Sequence, residues 1–278
     1  MIGLFEEAVR AALREDLGRA GDITTAATIP PGTKASGDIV ARKAGTIAGL
    51  PAVTETFRQV DPSCLCDVLV ADGKAVAGGT VLARVSGEAA SLLTAERTAL
   101  NFLGHLSGVA TATAELVSAV AGTKAAIVDT RKTTPGLRAL EKYAVRMGGG
   151  KNHRFGLDDA VLIKDNHIVA AGGVGPAVRR AKEAVGHMVV VECEVENLVQ
   201  LEEALAAGAD AILLDNMPPE TLREAVRLTA GRAVLEASGG ITLATVRAVA
   251  DTGVDLISAG WITHSAPNLD VALDFVSR

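Results

Sequence analysis

From Lys124 onward the chain alternates between short apolar runs and amphipathic helical stretches, and that alternation restricts the fold more than any other feature. The runs are AAIVD (125–129), AVLIK (160–164), VVVECE (189–194), AILLD (211–215), AVLEA (233–237) and DLISAG (255–260). Between them, 197–207 places Leu198, Leu201 and Leu205 on one helical face, and 219–228 and 243–252 show the same periodicity. Strands that alternate with helices pair in parallel through right-handed crossovers. Their apolar character throughout fits strands covered on both faces. An open doubly wound sheet and a (β/α) barrel both satisfy this pattern. The run ends favour the barrel, because they place Asp129, Lys164, Glu194, Asp215, Glu236 and Gly260 where strand ends converge on one mouth. Only about six to seven strands are visible against the eight of a closed barrel. The expectation is an incomplete barrel, closed in part by an N-terminal domain, its own or a partner subunit's.

The first hundred residues have a different texture. Phe5, Val9, Ala12 and Leu13 form one stripe of a helix over Leu4 to Asp16. Short β-like runs follow at Ser36 to Arg42, Leu65 to Val70 and Thr80 to Val85, separated by Pro-Gly, Asp-Gly and Gly-Gly turn signals. Helical periodicity returns between Ser91 and Val120, read as two helices meeting near His105 to Gly108. The fold expected is α/β, with an N-terminal α+β sandwich-like domain (1–108) and an open barrel domain (109–265). The tail 266–278 is expected to pack on the first domain.

Composition excludes several classes of function. A formal charge of −6 over 278 residues leaves no broad basic face for a phosphate backbone, so no nucleic-acid partner is expected. No apolar run is long enough to span a bilayer, and the acidic, amphipathic start does not read as a signal peptide. Three cysteines, Cys64, Cys66 and Cys193, read as reduced thiols and point to a cytoplasmic location.

Against that acidic background, residues 129–167 collect Arg131, Lys132, Arg138, Lys142, Arg146, Lys151, His153, Arg154, Lys164 and His167. Clustered cations repel unless an anion offsets them, so the segment implies an acidic small-molecule ligand. Arg131, Lys132, His153, Arg154 and Lys164 lie on the early strands and loops of the expected mouth. Glu194 and Asp215 lie on the middle strands. Arginine forks suit carboxylates and lysine suits phosphate. Ser238-Gly239-Gly240, between a strand and a helix, and Gly260 after the next strand form a phosphate seat of backbone N–H groups. Glu194 and Asp215 could hold Mg2+ or contact sugar hydroxyls.

At these residues the sequence resembles the quinolinate phosphoribosyltransferase family. The matches run in order through Glu15-Asp16, Gly21-Asp22-Ile23-Thr24-Thr25, Thr94-Ala95-Glu96-Arg97-Thr98 and the stretch Leu103 to Thr111. They continue through Asp129-Thr130-Arg131-Lys132-Thr133, Gly148-Gly149-Gly150, Asn152-His153-Arg154 and Ile163-Lys164-Asp165-Asn166-His167. The last are Glu194-Val195-Glu196, Leu214-Asp215-Asn216, Ser238-Gly239-Gly240 and Thr263-His264-Ser265. The resemblance implies transfer of phosphoribosyl from phosphoribosyl pyrophosphate to quinolinate, with loss of pyrophosphate and CO2, giving nicotinate mononucleotide for NAD synthesis. It implies that Arg131, His153, Arg154 and Lys164 bind the quinolinate carboxylates, and that Lys132 and Lys164 face the pyrophosphate. Glu194 and Asp215 would contact ribose and the Mg2+ complex, which they hold indirectly. Ser238, Gly239, Gly240 and Gly260 would hold the 5′-phosphate. Arg97 would reach the site from the neighbouring subunit, so a homodimer is implied, with a higher oligomer open. Trp261 departs from the family, which usually has a small residue there.

Other readings compete. Lys164 at a strand end also suits a Schiff-base aldolase. A same-fold paralogue of the molybdenum-transport-associated type would act on another acceptor, and a non-catalytic phosphometabolite-binding protein would tolerate loss of Glu194 or Asp215. His153 and His167 are metal candidates in surroundings that repel metal. His105 and His264 serve equally as hydrogen-bonding residues. Arg138, Lys142 and Arg146 recur at helical spacing, and for one or two of them a solvated face beside Glu141 is expected. Glu192, Glu194 and Glu196 alternate, so in a strand all three would point one way.

Overall fold

The computed structural model describes residues 2–276. The elements in chain order begin with α1 (Ile2–Leu17), α2 (Ile23–Thr28), β1 (Lys34–Ala41), β2 (Gly45–Thr46), α3 (Leu50–Val60), β3 (Leu65–Val68), β4 (Ala75–Val76), β5 (Val81–Glu88) and α4 (Ala89–Ala119). Then come β6 (Ala126–Val128), α5 (Arg138–Met147), β7 (Val161–Ile163), α6 (Asp165–Ala171), α7 (Val174–Ala184), β8 (Val191–Val195) and α8 (Leu198–Ala206). The chain ends with β9 (Ala211–Asp215), α9 (Pro219–Thr229), β10 (Val234–Ser238), α10 (Val246–Ala250), β11 (Leu256–Ser258), α11 (Trp261–His264) and β12 (Val271–Phe275). These group into two compact units. The first holds the residues up to 114, 133–149 and those from 262 onward; the second holds 115–132 and 150–261.

The first unit is built on an antiparallel sheet in the order β12-β1-β5-β3. Ile39, Leu82 and Val85 from its strands bury against Phe57 of α3 and Leu92 and Leu103 of α4. Helix starts are set locally. Asp22 caps α2, accepting from the Thr25 backbone N–H at 2.9 Å. Asp72 accepts from the N–H groups of Gly49 (2.7 Å) and Leu50 (3.2 Å), the orphan donors at the start of α3, and from the Tyr143 hydroxyl at 2.7 Å.

The two helices expected near His105 are one helix of 31 residues, α4. Glycine in a helix costs up to about 1 kcal/mol relative to alanine, which suggests a break. Here the glycines serve close packing. The Leu269 N–H donates to the Gly104 carbonyl at 2.9 Å, and a Cβ on Gly108 would stand 2.2 Å from the Pro267 carbonyl oxygen. Helix α3 and strand β12 were not among the sequence expectations. Of Arg138, Lys142 and Arg146, Arg146 takes the solvated face expected for one or two of them. Arg146 is exposed, Arg138 is half-buried and Lys142 is buried. Glu141 is fully buried, accepting from His105 at 2.9 Å and from the Thr134 N–H at 3.1 Å.

The second unit is a six-stranded parallel sheet in the order β6-β11-β10-β9-β8-β7, with helices in the crossovers. On β8, Val191, Cys193 and Val195 are buried on one face, while Glu192 and Glu194 lie on the other. Beyond the free edge of β6, Lys151 adds one parallel bridge to Val128. The chain then runs on to β7 at Val161, so 151–160 lead from one edge strand of the open barrel to the other. Among the described residues no helix is long and apolar enough to cross a membrane.

Candidate active site

A cavity of about 520 Å3 opens at the carboxyl ends of the parallel strands. It brings together Arg131, Lys132, His153, Arg154, Lys164, Glu194, Asp215 and Ser238 of the expected set, with Glu236 and Asn216. A larger cavity in the first unit is lined mostly by apolar side chains such as Phe5, Leu50, Val70 and Met147. Converging charge, not size, marks the site.

The cationic wall is assembled after β6 and before β7. Asp129 is fully buried and accepts from the His153 backbone N–H at 2.8 Å and the Asn152 amide at 2.6 Å. That fixes Asn152-His153-Arg154 against the end of β6. Arg154 donates one guanidinium N–H to the Ala160 carbonyl at 3.1 Å. Burial, and then the like charge of Arg131, lower the Arg154 guanidinium from its ordinary pKa. The Nε groups of Arg131 and Arg154 are both buried without a hydrogen-bond partner. Buried guanidinium N–H groups left open are costly, and an incoming carboxylate satisfies them.

The acidic wall comes from β8 and β9. Lys164 Nζ donates to Glu194 Oε2 at 2.7 Å. This ion pair is the opposite of the apolar setting that activates a Schiff-base lysine. Asp215 accepts from the Asn216 side-chain amide at 2.8 Å. Asn216, at φ 53°, donates its backbone N–H to the Ser238 carbonyl at 2.9 Å, tying the loop after β9 to the end of β10. Gly239 sits beneath it at φ +94°, where a Cβ would fall 2.1 Å from Asn216 Oδ1, so only glycine fits. Gly240 has open space on its Cβ side, and a Cβ at Gly260 would sit 3.0 Å from the Lys132 side chain. Trp261 donates its indole N–H to the Ile241 carbonyl at 2.9 Å, anchoring the same glycine loop.

The three alternating glutamates along and just past β8 separate by depth. Glu196 lies past the strand end and is exposed. Glu194 stands at the mouth. Glu192 is buried, with Oε2 2.9 Å from His153 Nε2. Glu236 Oε2 lies 3.6 Å from the same nitrogen. Burial, and then the charge of Glu192, raise the Glu236 carboxyl to about 7. The sequence pattern places Glu236 among the strand ends at the mouth and leaves Glu192, in an alternating row, at the mouth or its rim; both lie deeper than the mouth, Glu192 beside His153.

The other candidates lie elsewhere. Arg97 is on α4 of the first unit, exposed, and is not among the residues lining this cavity. His167 Nδ1 accepts from the Lys164 backbone N–H at 2.9 Å, and His264 Nδ1 lies 2.5 Å from Ser265 Oγ.

Residues 22–107 match the family model for the N-terminal domain of quinolinate phosphoribosyl transferase, and 109–274 match the model for its C-terminal domain. The chain is 47% identical over 260 residues to a probable nicotinate-nucleotide pyrophosphorylase (carboxylating) of Bacillus subtilis, covering 94% of this chain and 89% of that one. It is 47% identical over 273 residues to the nicotinate-nucleotide pyrophosphorylase (carboxylating) of Mycobacterium leprae, covering 96% of each. The solved nicotinate-nucleotide pyrophosphorylase of Francisella tularensis superposes with a TM-score of 0.94 at 40% identity, covering 99% of this chain and 97% of that one.

Proposed function

The chain belongs to the quinolinate phosphoribosyltransferase family, and we propose that it transfers phosphoribosyl from phosphoribosyl pyrophosphate to quinolinate with loss of CO2, forming nicotinate mononucleotide in NAD biosynthesis. The observation that carries the assignment to this cavity is the pair of buried, unpartnered guanidinium N–H groups of Arg131 and Arg154 opposite the carboxylates Glu194 and Asp215. A dicarboxylate satisfies the first wall, and a sugar that becomes cationic at its anomeric carbon suits the second.

In this reading Arg131, His153, Arg154 and Lys164 hold the two carboxylates of quinolinate and aim its ring nitrogen at the ribose. The nitrogen attacks C1′, and the bond to pyrophosphate breaks with its electron pair leaving on oxygen. Positive charge grows on C1′ and the ring oxygen, where Glu194 and Asp215 supply fixed negative charge. Lys132 and Lys164 take the charge of the departing pyrophosphate. Ser238, Gly239, Gly240 and Gly260 seat the 5′-phosphate through backbone N–H groups. Quaternising the nitrogen makes the carbon beside it a tolerable carbanion, so the adjacent C–CO2 bond breaks and a proton is taken up.

The oxygen donors Glu194 and Asp215 fit a hard cation, and Mg2+ arriving with the pyrophosphate would supply charge neutralisation there, held by them indirectly. Arg97, exposed on α4, supports a homodimer in which it completes the partner's site; a higher oligomer is compatible with this reading. The three free thiols support a cytoplasmic location.

The test is an incubation with Mg2+, phosphoribosyl pyrophosphate and quinolinate. Release of CO2 with formation of nicotinate mononucleotide is expected. Turnover of another acid but not quinolinate would instead assign the chain to the paralogous branch.

A further inference from the structure

Loss of CO2 leaves an electron pair on the ring carbon beside the nitrogen, and that carbon must gain a proton. The roles given above bind anions or face the ribose, and none supplies it. Among the described residues, four buried polar atoms without a hydrogen-bond partner line the cavity: Nε of Arg131, Nε of Arg154, Oε2 of Glu236 and Oγ of Ser258. The first two await the diacid. The other two come from the adjacent strands β10 and β11, and both residues are buried, Glu236 at 1% exposure. An open acid and an open hydroxyl thus sit side by side in the site with no task.

The surroundings of Glu236 fix its form. Ligand atoms of Glu236, Glu192 and His153 lie within 4.8 Å of one another. Two buried carboxyls this close do not both ionise readily, so one keeps a proton. Glu192 Oε2 has the nearer partner, His153 Nε2 at 2.9 Å, while Glu236 Oε2 stands 3.6 Å from that nitrogen. The proton therefore belongs on Glu236. The same spacing suits a metal ion, but the guanidinium groups of Arg131 and Arg154 in this cavity oppose a cation.

We propose that Glu236 is the catalytic acid of the decarboxylation step, delivering its carboxyl proton to the ring carbon that loses CO2. The inference rests on the quinolinate reading. His153 helps to hold the diacid there, and Glu236 borders that imidazole, so the acid stands beside the carboxylate pocket. The C–CO2 bond breaks and its electron pair stays on the ring carbon. The O–H bond of Glu236 then breaks, the proton bonds to that carbon, and Glu236 is left as a carboxylate. The charge of Glu192 favours its recapture of a proton from water as product leaves.

Groups facing Glu236 are Glu192 from β8, His153 from the segment before β7 and Asp129 at the end of β6; Arg131, Lys132, Arg154, Lys164, Glu194 and Asp215 stand in the same cavity. Burial, and then the charge of Glu192, raise the carboxyl to about 7. The acid form is present below that value and is lost as pH rises through it.

The test compares the full-length wild type with Glu236→Gln, which keeps shape and hydrogen bonding but carries no acid. In a single turnover with Mg2+, phosphoribosyl pyrophosphate and quinolinate, pyrophosphate release by the variant is expected within about 3-fold of wild type. Its CO2 release is expected to slow at least about 10-fold, so that the still-carboxylated nucleotide accumulates. Between about pH 6.5 and pH 8.5, CO2 release by the wild type should slow at least about 5-fold, and that of the variant less than about 2-fold. A difference infrared spectrum at about pH 6.5 should show a protonated carboxyl in the wild type that the variant lacks. Unchanged CO2 release, equal slowing of both steps, the same pH dependence in both proteins, or no such carboxyl band each overturns the assignment of Glu236 while the quinolinate reading stands. A wild type that does not turn over quinolinate overturns that reading, and this inference with it.

Discussion

Lys164 Nζ and Glu194 Oε2 stand 2.7 Å apart across the gap between the end of β7 and the end of β8, joining the two walls of the cavity. Lys164 is about half exposed while Glu194 is mostly buried, so the lysine can turn to an incoming anion while the carboxylate stays in place. Lys164→Ala is expected to lower kcat/KM at least about 100-fold, since it removes charge from both the acid and the pyrophosphate. Mixed with an Arg97→Ala protein, it should regain part of the activity if sites are shared between subunits. Verified mixed dimers with no recovery would refute the shared site.

Arg131 and Arg154 present planar forks with buried Nε groups left open. Arg131→Lys or Arg154→Lys preserves charge but loses the planar fork of parallel N–H donors, Nε included. An increase of about 10-fold or more in KM for quinolinate, with KM for phosphoribosyl pyrophosphate nearly unchanged, is expected from steady-state kinetics. Equal changes in both constants would argue that the forks do not read the diacid.

Trp261 is the only tryptophan in the sequence, and its indole N–H is bonded to the loop that follows Ser238-Gly239-Gly240. Its emission should change when phosphoribosyl pyrophosphate is titrated in and stay constant with quinolinate alone. The opposite pattern would place the phosphate elsewhere.

Gly108 tests the packing of α4. In an open helix, glycine to alanine adds up to about 1 kcal/mol of stability. Here the Pro267 carbonyl occupies the space, so Gly108→Ala is expected to destabilise by about 2–3 kcal/mol in urea or thermal unfolding. A stabilised variant would contradict the close approach.

Asp22 gives a pH dependence of stability. Hydrogen bonds from the Thr25 hydroxyl and backbone, with one from Thr94, hold its carboxyl below the ordinary aspartate value. The stabilisation is therefore present above that ordinary value and is lost as pH falls through the lower folded-state value. Asp22→Ala should cost about 1 kcal/mol at neutral pH, with the difference from wild type shrinking below about pH 4. A difference that persists in acid would assign the effect to packing.

What the sequence disclosed followed period and charge. All six parallel strands lie on the six apolar runs, and the mouth gathers Arg131, Lys132, Arg154, Lys164, Glu194 and Asp215 because strand ends converge. What it hid depended on partners distant along the chain. Gly104 and Gly108 look like a helix break until 267–269 occupy the space beside them. Glu141 and Lys142 look solvent-facing on a charged helix, yet His105 and the Thr134 N–H account for the buried Glu141. Glu192 and Glu236 have no local sign of being neighbours, because β9 separates their strands.

The sheet order β12-β1-β5-β3 joins residues 271–275 to residues 34–41, and the first unit also takes in 133–149. Apart from 133–149, the second unit is one uninterrupted stretch of sequence, 115–261. On the ribosome, all of the barrel's strands have been synthesised before the edge strand of the first sheet exists. The half that begins first is therefore completed after the barrel, and until residues 271–275 have emerged β1 has an unpaired edge for a nascent chain to protect.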